Sequence, residues 1–380
     1  MKMLIMKKLC LNCLPAVCGI LFLTGSSLAY EINDKLSIGG VVAGIYQYQS
    51  LSDTPGYDSS GRGLLAIQPE VSFAPTENDE LFAKFGFGAG NGLMEGGKSP
   101  FILAAWGGDT EEGVKDINGR GRDYLLTAWY KHTFKFSDEH TLGLTGGIID
   151  ATDYLDENAF ANDEYTQFMN QALVNGPNAF APSYDIGGAV EWEFGAFSVK
   201  GVVMALGSND EEGELEEPYN FYGLQFGYKV DFGLGEGNYR LIAHTTSSDF
   251  SNVSRTEKEG KTCALISFDQ QLGEILGAWL RFGRQDDKAA IDCEDLYSGG
   301  LNISGNLWGR GQDNIGIGYA HLRGGNLDVN NTDVFEVYGR FALNDIFAIT
   351  GDVQYMKDSY KNGGDDPSAW IFGLRATAEF

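Results

Sequence analysis

From Leu36 onward the chain repeats one pattern: segments about ten residues long in which large apolar side chains alternate with small or polar ones. The last segment is the clearest. Trp370, Phe372, Leu374, Ala376, Ala378 and Phe380 fall on one side of a period-2 strand, and Ile371, Gly373, Arg375, Thr377 and Glu379 on the other. One side suits lipid and the other water. The earlier segments centre on Leu36 to Tyr48, Leu65 to Phe73, Leu81 to Ala89, Tyr124 to Phe136, Leu142 to Ile149, Ile186 to Phe194, Phe197 to Ala205 and Tyr222 to Phe232. They continue with Tyr239 to Ala243, Ala264 to Phe268, Leu276 to Phe282, Tyr297 to Ile303, Ile315 to Tyr319, Phe335 to Phe341 and Phe347 to Tyr355. Short turns such as Ser137-Asp138-Glu139, Gly195-Ala196 and Asn344-Asp345 interleave with long polar loops. The pattern predicts an all-β fold: a transmembrane antiparallel β-barrel of about 16 strands, of the outer-membrane porin type, with tight periplasmic turns and long outer loops.

The amino terminus adds a compartment. Lys2, Lys7 and Lys8 precede an apolar run from Leu9 to Leu23, then small residues at Ser27 and Ala29. This predicts a secretory signal over residues 1–29 and a single barrel over 30–380, in the cell outer membrane of a Gram-negative bacterium. Cys10, Cys13 and Cys18 leave with the signal. Cys263 and Cys293 stay, at the outer ends of the tenth and twelfth strands, about 10 Å apart laterally. That is beyond direct disulfide reach, so a bridge needs the Gln285 to Asp292 loop to fold across the rim, and both a bridge and two free thiols remain open.

The 27 lysines and arginines face 53 acidic residues, and loss of the three leader lysines takes the net charge from −26 to −29. Such acidity argues against nucleic acid as a partner. Mean hydropathy of −0.19 fits a barrel in which only every second residue meets lipid.

With the apolar sides assigned to lipid, the water side takes Glu70, Trp129, Lys131, Glu191, Lys200, Lys229, Arg240, His244, Trp279, Arg281, Glu336, Tyr338, Arg340, Asp352, Gln354 and Arg375. Arg240, Arg281, Arg340 and Arg375 form one arc in the second half of the wall. The loop 150–183 is long enough to fold inward as a constriction. It carries Asp150, Asp153, Asp156, Glu157, Asp163 and Glu164 and no basic residue. Within it Asn162 is expected to cap a helix from Asp163, stopped at Asn175-Gly176-Pro177. Tyr165, Phe168, Met169, Ala172 and Leu173 would face the wall; Asp163, Gln167, Asn170 and Gln171 would face the channel. An acidic loop opposite an arginine arc predicts a transverse field across a narrow polar slot. There Asn158, Asn162 and the acids offer groups for sugar hydroxyls, and Trp129, Trp279 or Tyr338 flat faces for sugar rings.

The run Gly147-Ile148-Ile149-Asp150-Ala151-Thr152-Asp153-Tyr154, then Asn158 to Glu164, Thr166 to Phe168 and Asn170 to Asn175, resembles the carbohydrate-selective porins of the OprB family. The resemblance is strong over Gly147 to Phe194. It implies a 16-stranded outer-membrane barrel that passes mono- or small oligosaccharides by facilitated diffusion. A general or cation-preferring diffusion porin is the alternative. Phe380 resembles the terminal signal read by barrel-assembly machinery, outer-membrane lipids and lipopolysaccharide are the expected surroundings, and both a monomer and a homotrimer fit.

Weaker signals add little. The acidic run from Asp210 to Glu217 reads as a solvated outer loop. Gly107 to Asp123 lacks the ligand spacing of a calcium loop. His132, His140, His244 and His321 are scattered, no nucleophile elbow or phosphate loop stands out, and neither catalysis nor a metal or cofactor is expected.

Overall fold

The computed structural model describes residues 30–380 except 53, 98, 208–217, 362, 364 and 365; of 95 and 96 only the backbone is described. The secretory signal and the acidic run from Asp210 to Glu217 lie outside the described residues.

Sixteen staves run in chain order: β1 Leu36–Ser52, β2 Ser60–Thr76, β3 Asp79–Phe85 continued by Phe87–Ala89, β4 Leu125–Ser137, β5 His140–Ile149, β6 Asp185–Phe194, β7 Phe197–Leu206 and β8 Tyr219–Asp231. They go on with β9 Glu236–Thr246, β10 Thr262–Leu272, β11 Leu276–Gln285, β12 Cys293–Ser304, β13 Asn314–Gly324, β14 Val329–Ala342, β15 Phe347–Tyr360 and β16 Ser368–Glu379. Each pairs antiparallel with the next, and β16 pairs with β1 from Ser52↔Ser368 to Val41↔Glu379. The sheet therefore closes on itself. Closure leaves no edge with unpaired amides, which a hydrocarbon surround cannot satisfy. The final residue completes the seam, since Gly40 N–H donates to Phe380 O (2.8 Å) and Phe380 N–H to Gly40 O (3.0 Å). Beyond it a short strand, Tyr30–Asn33, folds back on the start of β1.

Alternation decides which side of each stave faces out. In β16, Trp370, Phe372 and Leu374 are 46%, 49% and 57% exposed, while Ile371 and Arg375 are 0%. Two glycines permit close strand approach. At Gly40 (φ +147°) a Cβ would stand 2.3 Å from Gln68 O, and at Gly147 (φ +150°) 2.3 Å from Ala128 O, so no other residue fits either bend.

Most connections at the amino-terminal end of β1 are short. The exception is 305–313, which carries a 3-10 helix, Gly305–Trp308. The long connections gather at the opposite end. Two of them, 90–124 and 150–184, turn into the barrel, and their residues form the largest buried cluster together with the inner sides of β9 to β16. Smaller clusters pack the same two loops against β1 and β2, β4, and β6 to β8, so the loops fill much of the lumen in place of the water-lined wall that alternation suggests.

Cys263 and Cys293 are both buried free thiols, on β10 and β12 with β11 between them. The rim-crossing bridge considered for them is not formed.

Candidate functional site

The loop 150–184 is held by the wall at separate points. Arg281 of β11 donates from Nε to Asp156 Oδ1 (3.0 Å), from one terminal nitrogen to Leu173 O (3.1 Å) and from the other to Ala161 O. Arg375 of β16 donates to Glu164 O (2.5 Å) and Gln167 O (3.0 Å). Glu336 of β14 accepts from the backbone N–H of Met169 (2.7 Å) and of Asn170 (2.9 Å). Phe168 then sits edge-on to Trp279 and Tyr338, with ring centres 5.6 and 5.0 Å away. The second loop braces the first: Gly107 N–H donates to Met169 O, Gln171 N–H to Ala104 O, and the Gln47 and Gln354 amides both reach Ala105 O.

These anchors change the local structure expected from sequence. Asp163 accepts from Tyr165 N–H (2.7 Å) and the Thr166 hydroxyl (2.6 Å), so a single turn forms there. It does not run on as a helix, because the Met169 and Asn170 amides that would continue it go to Glu336. The helix is Gln171–Val174 alone, capped by the Asn170 side chain rather than by Asn162. Tyr165, Phe168, Met169, Ala172 and Leu173 are all buried, and so is Asn170, whose amide donates to Gln354 Oε1 (2.8 Å) rather than facing the channel.

The arginine arc does not stand across an open slot either. Arg281 and Arg375 lie beneath the loop with no exposed surface, Arg240 pairs with Asp269 (2.5 Å), and Arg340 pairs with Glu379 near the turn end. A guanidinium in contact with the loop is compensated there and projects little field into the lumen.

A group of half-buried polar side chains lies along the inner sides of β2 to β7. Glu70 and Lys84 are opposite each other on β2 and β3. Lys84 makes no hydrogen bond or ion pair with any described residue, yet Asp153, Glu70, Asp150 and Glu164 are the carboxylates acting on it, largest influence first. Below it Phe82 stacks on Trp129, ring centres 5.0 Å apart. Around the wall runs a chain of alternating charge: Lys131 to Glu191 (2.5 Å), Glu191 to Lys200 (3.8 Å) and Lys200 to Glu157 (2.5 Å). Burial pushes the loop carboxyl of Glu164 up to about 8, and that of Asp153 up to about 6 against the pull of Lys84. Burial also raises Asp109, Asp150 and Glu157.

Of the residues singled out from sequence, Glu70, Trp129, Asp150, Asp153 and Glu157 come together on this polar side. Asp163 stays half-buried beside the Arg375 anchor. Asp156, Asn158, Asn162, Gln167 and Asn170 are spent on holding the loop: Asn158 donates to Phe268 O (3.2 Å), Asn162 accepts from Asn175 (2.6 Å) and Gln167 donates to Ala159 O (3.0 Å). Trp279 and Tyr338 are covered by Phe168. Sequence reasoning passed over Lys84, Asp109 and the inward turn of the loop 90–124. The last had a legible sign, the apolar run Phe101-Ile102-Leu103-Ala104-Ala105-Trp106 inside an otherwise polar connection.

Comparison with known proteins agrees with this architecture. The chain is 32% identical over 334 residues to an uncharacterised protein of Aquifex aeolicus, with 84% of each chain covered. Among solved structures it superposes on Pseudomonas putida OprB in its high-pH structure with a TM-score of 0.69, at 16% identity and covering 91% of this chain and 94% of that one. It superposes on the outer-membrane channel DcaP of Acinetobacter baumannii with a TM-score of 0.58, at 9% identity, over 92% and 99% of the two chains. Residues 84–380 match the family described as carbohydrate-selective porin, OprB family. Family and fold point to a channel rather than an enzyme: the chain belongs to the OprB family and is an outer-membrane β-barrel porin.

Proposed function

We propose that this porin passes neutral carbohydrates, mono- or small oligosaccharides, by facilitated diffusion, and that solutes travel the polar side along β2 to β7. The observation that carries the reading is Lys84, an ammonium without a hydrogen bond or ion pair among the described residues, with Asp153, Glu70, Asp150 and Glu164 around it. A sugar hydroxyl both donates and accepts, so a cation surrounded by carboxylates can serve it in both roles. Glu164, with its carboxyl near 8, keeps its proton at neutral pH and donates as well as accepts, while Asp153, near 6, is mostly ionised there and accepts. Trp129 and Phe82 supply apolar surface for a sugar ring next to these groups. The family description supports the same solute class. In liposome swelling, sugars are expected to permeate faster than amino acids of similar size; equal rates would sink the sugar reading.

The excess of carboxylates around one lysine also favours a second reading, a cation-preferring diffusion porin without sugar selectivity. Reversal potentials in planar bilayers separate the two. Under the sugar reading, added sugar blocks the ionic current; under the cation reading, selectivity is strong and sugar has no effect.

A further inference from the structure

Among the described staves, the basic side chains point inward or stand at the turn end, with three exceptions. Arg284 of β11, Arg323 of β13 and Lys357 of β15 point outward, on alternate staves of one arc and all toward the long-loop end. An outward charge on a lipid-facing wall is costly except at the interface, where headgroups begin. A bulge in β12 between Cys293 and Asp295 places Glu294 and Asp295 between the two arginines. Arg284 pairs with Glu294 (2.6 Å), and Arg323 with Glu294 (3.0 Å) and Asp295 (2.7 Å).

The arrangement is layered. The Glu294 and Asp295 side chains are 17% and 8% exposed, whereas Arg284 and Arg323 are 68% and 50% exposed. The acids lie beneath and orient two guanidiniums that keep free donors toward the membrane surface. Lys357 has no hydrogen bond or ion pair with any described residue and stands in register with Asp333, which is engaged by His321 (2.8 Å) and Tyr319 (2.6 Å). Just below this row the outward residues turn aromatic: Phe282, Tyr297, Tyr319 and Phe335. Such a girdle marks the lipid–water boundary.

We infer that Arg284, Arg323 and Lys357 form a docking surface for the phosphates of a phosphorylated glycolipid of the outer leaflet, lipid A in chemical class. Two neighbouring staves are spaced about 4.8 Å apart, so side chains on alternate staves sit about 10 Å apart and span one headgroup with more than one phosphate. Fork-shaped guanidiniums bind such oxygens bidentately. The surface rests on the outer-membrane placement, not on which solute the pore carries.

The test follows bound lipid by mass spectrometry of the full-length porin after detergent exchange. The probes are bisphosphorylated lipid A, the same lipid with both phosphates removed, and inorganic phosphate. Wild-type protein is expected to retain the bisphosphorylated lipid and release the dephosphorylated one. A triple variant, Arg284→Gln, Arg323→Gln and Lys357→Gln, should retain it about tenfold or more weakly, and Lys35→Gln at the turn end should not differ from wild type. Equal retention of both lipids by the wild type would overturn the proposal and assign the contact to acyl chains. Binding of inorganic phosphate as strong as that of the lipid would overturn it in favour of a general anion patch. The two-lipid comparison needs no variant, so it decides the matter even where the triple variant fails to fold. Single-channel conductance should be the same in wild type and variant.

Discussion

Lys84 carries the most weight at the scale of single residues, because four carboxylates act on it and it makes no hydrogen bond or ion pair among the described residues. Replacing it, Lys84→Met, should raise cation over anion permeability in reversal-potential measurements. It should also weaken block by sugar by roughly tenfold, the loss of one hydrogen bond to a charged group. Unchanged block would remove Lys84 from the solute path. Glu164 gives a pH signature. Its carboxyl is neutral below about 8 and ionised above, and Asp153 ionises around 6, so the lumen gains negative charge as pH rises through these values. The ratio of cation to anion permeability should climb in two stages, and Glu164→Gln should erase the upper one only. These residues show the limit of sequence reading at this scale. Asp153 and Glu70 could be named from alternation and loop composition, but Lys84 lies in a stave that alternation marks only as inward. Nothing local says that its acids approach without binding it.

At the scale of elements, the loop 150–184 is the decisive piece, and Arg281 is its chief anchor. One guanidinium joins Asp156, Ala161 and Leu173 and so fixes the fold of the loop as well as its place. Arg281→Ala leaves the Asp156 carboxylate buried and unpaired, at a cost of about 3–5 kcal/mol. The loop should loosen, conductance should rise and larger solutes should enter. Asp156→Asn should act in the same direction, and the double variant should add little to either single one. If Arg281→Ala lowers sugar block at unchanged conductance, the arginine touches solute and the anchoring role is wrong. The sequence marked this segment as inward and amphipathic, and its apolar residues are indeed the buried ones. It misjudged the helix because the pull of Glu336 on the Met169 and Asn170 amides comes from a stave 166 residues away along the chain.

At the scale of the whole molecule, closure and filling answer to different causes. A period-2 pattern sustained through sixteen segments, ending on Phe380, demands a sheet with a lipid side and no free edge. The sixteen staves appear where the alternation lies, because each stave reports its own inside and outside. Filling is not local. Cys263 and Cys293 illustrate it: they lie in contact with the packed loops. A membrane-permeant maleimide should label neither quickly in the folded barrel and both after denaturation without reductant; labelling that needs reductant would mean a disulfide.

What the sequence by itself determined is the barrel: strand number, which side chains face lipid, and an inward loop rich in acids. Each of these is written in residues near one another along the chain. Only the tertiary structure decided where the inward loops pack. Arg281 and Arg375 meet the loop backbone, a second loop braces the first, and Lys84 is left among carboxylates. Those outcomes depend on groups from distant staves competing for the same loop amides and carbonyls, and no periodicity records that competition.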